Sequence, residues 1–350
     1  MKRKKSANNS NISISRVNNL FTSHGNDNIS SLLHSSSQPV RPHVPCEKLI
    51  QRQYGVIPLS SPRVFPSNEC NVINFTNDVK WLTQIYNKVR EKGVPSYRGA
   101  RIPVPSELNI PEWRYLLKDY DIKILGEYLK YGFPLEIDYE IFQYNEQCDN
   151  HPSAIQRPQG VMKYFKTEVD KKAMIGPLNE SPFPKLHISP LMARDKPDGG
   201  VRVIVDLSWP QGGSVNSSVP SDIYDTMSYK LKYPTIDDIV QKVVEIGPTA
   251  LLYKVDLERA FRNLRIDPYD YSALGLQWQG KLYVDVALAF GFPAGATICQ
   301  LCTELITHVL RMRNTWVVSY LDDNIGVALP NQANSQFQSL VNILNAVNLI

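Results

Sequence analysis

The sequence has few cysteines, no long apolar run and no overall excess of charge. Its five cysteines, an odd number, are scattered along 350 residues: Cys46, Cys70, Cys148, Cys299 and Cys302. With no apolar signal segment at the start of the chain, we expect reduced thiols in a protein of the nucleus or cytoplasm, rather than a disulfide-stabilised secreted domain. No stretch approaches the roughly 18 apolar residues of a membrane-spanning helix, so no membrane is expected as a partner.

The small positive charge is concentrated at the N-terminus. The chain carries a net charge of +4, whereas residues 1–50 alone hold seven Lys or Arg against two Asp or Glu, a charge of +5. The remainder is therefore close to neutral, which excludes a uniformly basic nucleic-acid-binding domain. Any positive groove has to come from local clustering of basic residues.

Composition divides the chain into four parts. Residues 1–70 are rich in Ser, Asn and Pro, and we expect a disordered basic tail, because such a segment cannot bury enough apolar surface. Residues 71–180 alternate proline breaks with helical periodicity, from Thr76 to the glycine at position 93 and at about 112–118, 122–129 and 158–173. Residues 181–235 contain a β-ribbon, and residues 236–350 the remaining strands and helices. The basic cluster Lys2–Lys5 fits either a nuclear-import or nucleic-acid-binding arm or an ordinary basic terminus.

Two adjacent carboxylates, Asp322 and Asp323, lie between apolar, β-branched runs within Trp316–Ala328. This pattern predicts a hairpin with its turn at Leu321–Asn324. Neighbouring aspartates repel each other, and the absence of nearby His or Cys favours Mg²⁺ or Mn²⁺ over zinc. The alternative is a solvated Asp-Asn turn.

A third carboxylate, Asp256, follows the apolar strand predicted over Leu251–Val255. The next segment, Leu257–Ile266, has apolar residues at helical spacing. If Asp256 joined the Asp322–Asp323 pair on one sheet edge, three carboxylates could hold two divalent ions about 3.5–4 Å apart, as in phosphoryl transfer. We expect other acidic residues to have different roles: Asp237 and Asp238 stabilise a helix start after Thr235, whereas Asp267, Asp270 and Asp285 are solvated.

Two further segments have functional character. A ribbon is predicted from His187–Met192, a Pro-Asp-Gly turn and Val201–Leu207, where Lys196 and Arg202 either grip a triphosphate or face solvent. After two strand-like runs around Gln279-Gly280, the small residues of Phe290–Thr297 precede a helix at about 298–312 and would let a backbone approach a base or sugar closely. We assign the spacing of Cys299 and Cys302 to a packed helix face rather than to a metal or redox site.

Together these motifs resemble those of reverse transcriptases. Tyr320-Leu321-Asp322-Asp323 is similar to their catalytic hairpin, Asp256–Phe261 to their first metal-binding motif, and Phe290-Gly291 to their second palm motif. Further segments resemble retroelement polymerases of the DIRS/Ngaro kind: Tyr131–Leu135, Lys254–Asp256 and Gly295–Gln300. The resemblance implies an α+β fold with right-hand polymerase fingers (181–235) and a palm (236–350), whose antiparallel sheet packs on helices.

The resemblance also implies an RNA-directed DNA polymerase that adds dNTPs to a primer 3′-hydroxyl on an RNA or DNA template. Asp256 and Asp322 would bridge two Mg²⁺ ions (Mn²⁺ being an alternative), with Asp323 as third carboxylate and the Leu257 carbonyl completing one shell. The implied nucleotide contacts are Lys196, Arg202, Leu257, Phe261, Phe290 and Gly291, with Phe261 under the sugar unless it is simply a core aromatic. Tyr320 and Gly295 would contact the primer and template.

The chain ends at Ile350, soon after the amphipathic segment Gln336–Val347. In the family a thumb and often an RNase H domain follow, so we expect a C-terminally truncated chain that lacks a thumb or relies on a partner chain. An alternative is an inactive retroelement remnant that at most binds nucleic acid. A metal-dependent phosphohydrolase would use the same carboxylates but would leave the ribbon and the Gly291 loop unexplained.

Overall fold

The computed structural model describes residues 103–119, 124–220 and 233–350, with shorter pieces at 12–16, 82–84, 87, 223–224 and 227–228. Most of the tail predicted over residues 1–70 and of the helix predicted from Thr76 onward lies outside the described residues. The fold is mixed α+β, and each strand pairs antiparallel to its neighbours.

The helices and strands follow one another in a mixed order along the chain. The helices are α1 Ile110–Leu116, α2 Ile124–Tyr131, α3 Pro152–Ile155, α4 Pro158–Asp170, α5 Ile236–Ile246, α6 Ala260–Asn263, α7 Gly295–Met312 and α8 Pro330–Ala346. The strands are β1 Ile12–Arg16, β2 Met174–Leu178, β3 Leu191–Asp195, β4 Val201–Val205, β5 Ile223–Tyr224, β6 Met227–Ser228, β7 Leu251–Asp256, β8 Gly275–Trp278, β9 Lys281–Asp285, β10 Val317–Tyr320 and β11 Asp323–Ala328.

The sheet that carries the three aspartates has the strand order β1-β7-β11-β10. Because side chains alternate between the faces of a strand, Tyr253 and Val255 point to one face and Leu252, Lys254 and Asp256 to the other. The Tyr253 face belongs to the main core, together with residues of α7 and α8. A Cβ at Gly326, opposite Tyr253 in the register, would collide with the tyrosine ring, so only glycine fits there.

The opposite face of this sheet changes from apolar to charged along the strands. At one end Leu252 and Val327 pack with Ile239, Val243 and Ile246 of α5. Thr235 and Asp238 form a reciprocal capping box at the start of α5, which confirms the helix start predicted there. At the other end lie Lys254, Asp256, Asp323 and Tyr320, none of which is buried. The amphipathic α5 thus leaves only the charged end of the face open.

Strand β1 occupies the outer edge of this sheet. Its residues pair antiparallel with β7 from Ile12 opposite Val255 to Arg16 opposite Leu251. This differs from the disorder expected throughout residues 1–70. The alternating isoleucines and serines of Ile12–Ser15 have the period of a strand, and the edge of β7 supplies the backbone partners that an isolated segment lacks.

A second sheet (β2-β9-β8) and the ribbon β3–β4 surround α4. Val161 and Phe165 of α4 pack in one cluster with Leu191, Trp278 and Tyr283. The predicted ribbon is confirmed, although β3 begins at Leu191 and β4 ends at Val205. Cys299 and Cys302 are buried on α7, which confirms a packed helix face. Among the described residues, no helix is long and apolar enough to cross a membrane.

Two further expectations are wrong. The helix indicated over Leu257–Ile266 is a single turn, α6, because the chain becomes extended at Leu264 and Ile266 then donates its N–H to the carbonyl of Val286. Asp267, Asp270 and Asp285 are buried rather than solvated. The Asp267 carboxylate accepts a hydrogen bond from the N–H of Tyr269. Asp270 accepts from the N–H of Leu135 at 2.7 Å and from the Tyr139 hydroxyl at 2.8 Å. Asp285 forms an ion pair with Arg262.

A buried histidine predicts how stability changes with pH. His187 is fully buried, its Nδ1 accepts the N–H of Asn145, and burial lowers its pKa to about 4. The unfolded chain therefore binds a proton at higher pH than the folded one, and stability is lost as the pH falls from about 6.5 towards 4, by up to about 3 kcal/mol.

We expect His187→Gln to flatten the dependence of the unfolding free energy on pH in this window, measured by denaturant titration. Thr303→Val, at another buried polar position but without a titratable group, is the matched control and should leave the slope unchanged. An equal slope in wild type and His187→Gln would contradict the assignment.

Candidate active site

Antiparallel pairing brings the predicted carboxylates to one end of the sheet. In the register of β7 and β11, Asp323 lies directly opposite Asp256. The N–H of Leu257 donates to the carbonyl of Asp322 at 2.9 Å, so the pairing continues one step beyond the strands. The turn is tighter than predicted: it contains Leu321 and Asp322, while Asp323 and Asn324 belong to β11.

The carboxylates repel one another at this end of the sheet. Burial raises the pKa of Asp256, and the hydrogen bond to Asp323 and that residue's charge raise it further, with a smaller contribution from Asp322. The ammonium of Lys254 lies 2.7 Å from Oδ1 of Asp323, and this hydrogen bond raises the pKa of Lys254. One ammonium therefore faces three carboxylates, which leaves a local negative charge.

These residues suit a hard divalent cation by donor type, since they offer only oxygen ligands. In the described part of the chain, however, no three Asp, Glu, His or Cys side chains lie close enough together to hold an ion. Asp256 and Asp323 lie opposite each other in the register, whereas Asp322 is exposed on the turn and would have to turn towards them. Leu257, expected to offer its carbonyl, is buried directly beside them.

A glutamine on α7 holds the turn of the hairpin. The buried Gln300 accepts the N–H of Leu321 at 2.8 Å and donates to the carbonyl of Ser319 at 2.8 Å. Leu321 has a φ of +54°, a left-handed conformation that costs a branched residue free energy unless its surroundings enforce it. Gln300 therefore stabilises the turn that determines where Asp322 and Asp323 lie.

A buried chain of hydroxyl and amide groups continues beneath the hairpin. The Ser319 hydroxyl donates to Oδ1 of Asn324 at 2.7 Å and lies 2.6 Å from the hydroxyl of Thr307. Asn324 is fully buried on the strand face opposite the carboxylates. These bonds tie β10, β11 and α7 together just below the predicted catalytic residues.

Two pairs of aromatic rings involve residues that the sequence assigned to nucleotide or primer contact. Phe261 of α6 is 7% exposed and its ring centroid lies 4.5 Å from that of Phe290, which is 69% exposed. A Cβ on Gly295 would lie 3.4 Å from the Phe261 ring, so the small residue lets α7 approach this pair. Tyr320 is 47% exposed, and its ring lies 4.7 Å from that of Tyr233.

The loop before α7 is tied to the segment after the ribbon. Asn216 donates through its side chain to the carbonyl of Gly291 at 2.9 Å, and Gly291 has a φ of +92° that favours glycine. The structure therefore brings Phe261, Phe290, Gly291 and Gly295 into one neighbourhood. It gives no contact that joins them to Lys196 or Arg202.

Lys196 and Arg202 are exposed on the ribbon. Lys196 begins the turn, where its N–H donates to the carbonyl of Gly200 at 2.7 Å, and Arg202 pairs across the ribbon with Arg194. Two like charges directly opposite each other are unfavourable on a strand pair unless an anion is available. Arg194 was missed in the sequence analysis, because the predicted strand His187–Met192 ended before it, whereas the observed strand continues to Asp195.

Sequence reasoning also missed the buried ionic network behind Asp256. Glu168 of α4 accepts two hydrogen bonds from Arg259 and one from Arg262, each 2.8 Å long, and Arg262 also binds Asp285 twice. Burial alone would raise the pKa of Glu168, but the charges of Arg262 and Arg259 outweigh it and hold the pKa below its usual value. The network fixes Arg259 at a φ of +59°, where α6 begins.

Comparison with known proteins identifies similar solved structures only. The foamy viral protease-reverse transcriptase dRH in complex with double-stranded DNA is 14% identical, with a TM-score of 0.48 over 91% of this chain and 45% of its own. The native Prototype Foamy Virus protease-reverse transcriptase is 16% identical, with a TM-score of 0.42 over 80% of this chain and 33% of its own. The chain thus spans less than half the length of these proteins.

No protein-family model and no curated protein matches the sequence. The activity therefore has to be inferred from the chain's own residues.

The two hydrogen bonds that Gln300 makes to the hairpin turn predict a loss of stability when they are removed. Gln300→Leu keeps the volume but leaves the N–H of Leu321 and the carbonyl of Ser319 without their partner, so we expect unfolding free energy to fall by about 1–3 kcal/mol. The Leu321 amide should also exchange with solvent faster, as measured by hydrogen exchange. Gln338→Leu, at an exposed position of α8, should change stability by less than about 0.5 kcal/mol. Equal effects of the two substitutions would argue against a stabilising role for the Gln300 hydrogen bonds.

Proposed function

We propose that this chain carries the catalytic part of an RNA-directed DNA polymerase, which adds deoxynucleotides to a primer 3′-hydroxyl. The observation that carries the proposal is the register of β7 and β11, which sets Asp256 and Asp323 opposite each other with Asp322 on the adjoining turn. Such a group of carboxylates at the open end of a sheet is suited to phosphoryl transfer. Phe261, five residues after Asp256 in the sequence, packs on the exposed ring of Phe290, and this pair is suited to a sugar and a base.

Asp256, Asp322 and Asp323 would hold two Mg²⁺ ions, with Mn²⁺ as a substitute and the Leu257 carbonyl as a further ligand. When bound, such ions favour deprotonation of the attacking hydroxyl and stabilise charge on the leaving pyrophosphate. The chain's own residues would position the reactants. Tyr320, on the same strand face as Asp323, would contact the primer terminus, and Gly291 and Gly295 would let the template and the nascent pair approach the backbone.

Lys196 and Arg202 would bind the triphosphate of the incoming nucleotide. The unfavourable Arg194–Arg202 pairing supports an anion as their partner. The segments Tyr131–Leu135, Lys254–Asp256 and Gly295–Gln300 favour a retroelement of the DIRS/Ngaro kind as the source, with fingers at 181–235 and a palm at 236–350. The proposed site of action is the nucleus or the cytoplasm.

A non-catalytic nucleic-acid-binding module is the second candidate. The exposed cations Arg194, Lys196 and Arg202 favour it, because they could bind phosphates without any participation of the carboxylates. Salt-dependent RNA binding that survives Asp322→Asn, with no DNA synthesis by the wild type, would support this candidate over the polymerase.

The first test is primer extension on an RNA template in the presence of Mg²⁺. We expect Asp256→Asn to reduce the extension rate by about 100-fold or more, because it removes a charge from the proposed metal site. Asp237→Asn, in the first turn of α5 and away from the carboxylates, is the matched control and should retain activity. Extension by the Asp256→Asn variant at the wild-type rate would contradict the proposal.

A second test concerns the choice between deoxyribonucleotides and ribonucleotides. If Phe261 packs under the sugar, Phe261→Ala should open space for a 2′-hydroxyl and raise the relative kcat/KM for ribonucleotides by about 10-fold or more. Phe292→Ala, another buried phenylalanine in the same core, controls for a general loosening of that core. Unchanged discrimination in steady-state incorporation would mean that Phe261 is only a core residue.

A further inference from the structure

Lys254 lies among the carboxylates of the proposed site. It precedes Asp256 by two residues on β7, so the two side chains share the open face of the sheet. Its Nζ lies 2.7 Å from Oδ1 of Asp323, which lies opposite Asp256 in the register of β7 and β11. The position opposite Lys254 on β11 is Ile325, which offers no charge, so the ammonium reaches along the sheet to the carboxylate end.

The stability of the fold does not account for this ion pair. The Lys254 side chain is 44% exposed and that of Asp323 is 36% exposed, and ion pairs at such exposure contribute little to folding. The pair occupies Oδ1 of Asp323, a carboxylate that the proposed function assigns to a metal ion. An ammonium and a divalent cation on the same carboxylate would repel each other strongly at contact distance.

We propose that the Lys254 ammonium is the resident cation of the carboxylate site and that a divalent metal ion binds by displacing it from Asp323. The inference rests on the proposed function, since it concerns the same site. Lys254 then has two effects. It relieves the repulsion among the three aspartates when no metal ion is bound, and it weakens the affinity for the metal ion by competing for Asp323.

The test is a Mg²⁺ titration of the full chain, followed by isothermal calorimetry and by the melting temperature. Lys254→Met keeps the aliphatic stem and removes the charge, so the dissociation constant for Mg²⁺ should fall by about 3- to 30-fold. In EDTA the same variant should melt close to the wild type, because an ion pair at this exposure contributes little to folding. Lys254→Arg keeps the charge and should bind Mg²⁺ no more tightly than the wild type.

Lys242→Met provides the matched control, because Lys242 lies on α5 and pairs with Glu245 at 3.0 Å. It should leave the Mg²⁺ affinity unchanged. If Lys254→Met binds Mg²⁺ as the wild type does or more weakly, the inference is overturned, whatever the polymerase activity. A wild type that binds Mg²⁺ with the expected response to Lys254→Met but extends no primer would contradict the proposed function and support this inference. Absence of Mg²⁺ binding by every variant would overturn both.

Discussion

The antiparallel register between β7 and β11 is the constraint on which the site depends. It sets Asp323 opposite Asp256, and a shift by one residue would turn one carboxylate into the core. The register is enforced from the other face, where the ring of Tyr253 occupies the space that only a glycine at position 326 leaves free. Packing in the core therefore determines where the charges meet at the surface.

Holding like charges together is unfavourable, so the surrounding structure has to be rigid. Gln300 fixes the left-handed turn at Leu321, and the Thr307–Ser319–Asn324 chain ties the hairpin to α7. Behind Asp256, Glu168 binds both Arg259 and Arg262, which joins α4 to the turn that follows β7. Buried, fully paired networks of this kind are costly to break and favour a single arrangement.

The local signals in the sequence predicted the strands around Asp256 and the Asp322–Asp323 pair, the ribbon turn and the cap of α5. These local signals gave wrong predictions where residues far apart in the sequence determine the local structure or the burial of a side chain. The spacing of Leu257–Ile266 indicates a helix, but Ile266 pairs with Val286 instead, and Asp285 is buried because Arg262 neutralises it. The pairing of Lys254 with Asp323 was not predicted, since it depends on the register of β7 against β11. Likewise, the short strand Ile12–Arg16 is stable only beside β7.

The proposed metal site is tested most directly by a crystal structure of the chain with bound Mn²⁺, in which the ions are located by their anomalous scattering. We expect an anomalous peak in contact with carboxylate oxygens of Asp256 and Asp322 or Asp323, at about 2.1 Å, with the Lys254 ammonium moved away from Asp323. A structure with Mn²⁺ bound elsewhere, and with the Lys254–Asp323 pair intact between metal-free aspartates, would contradict it.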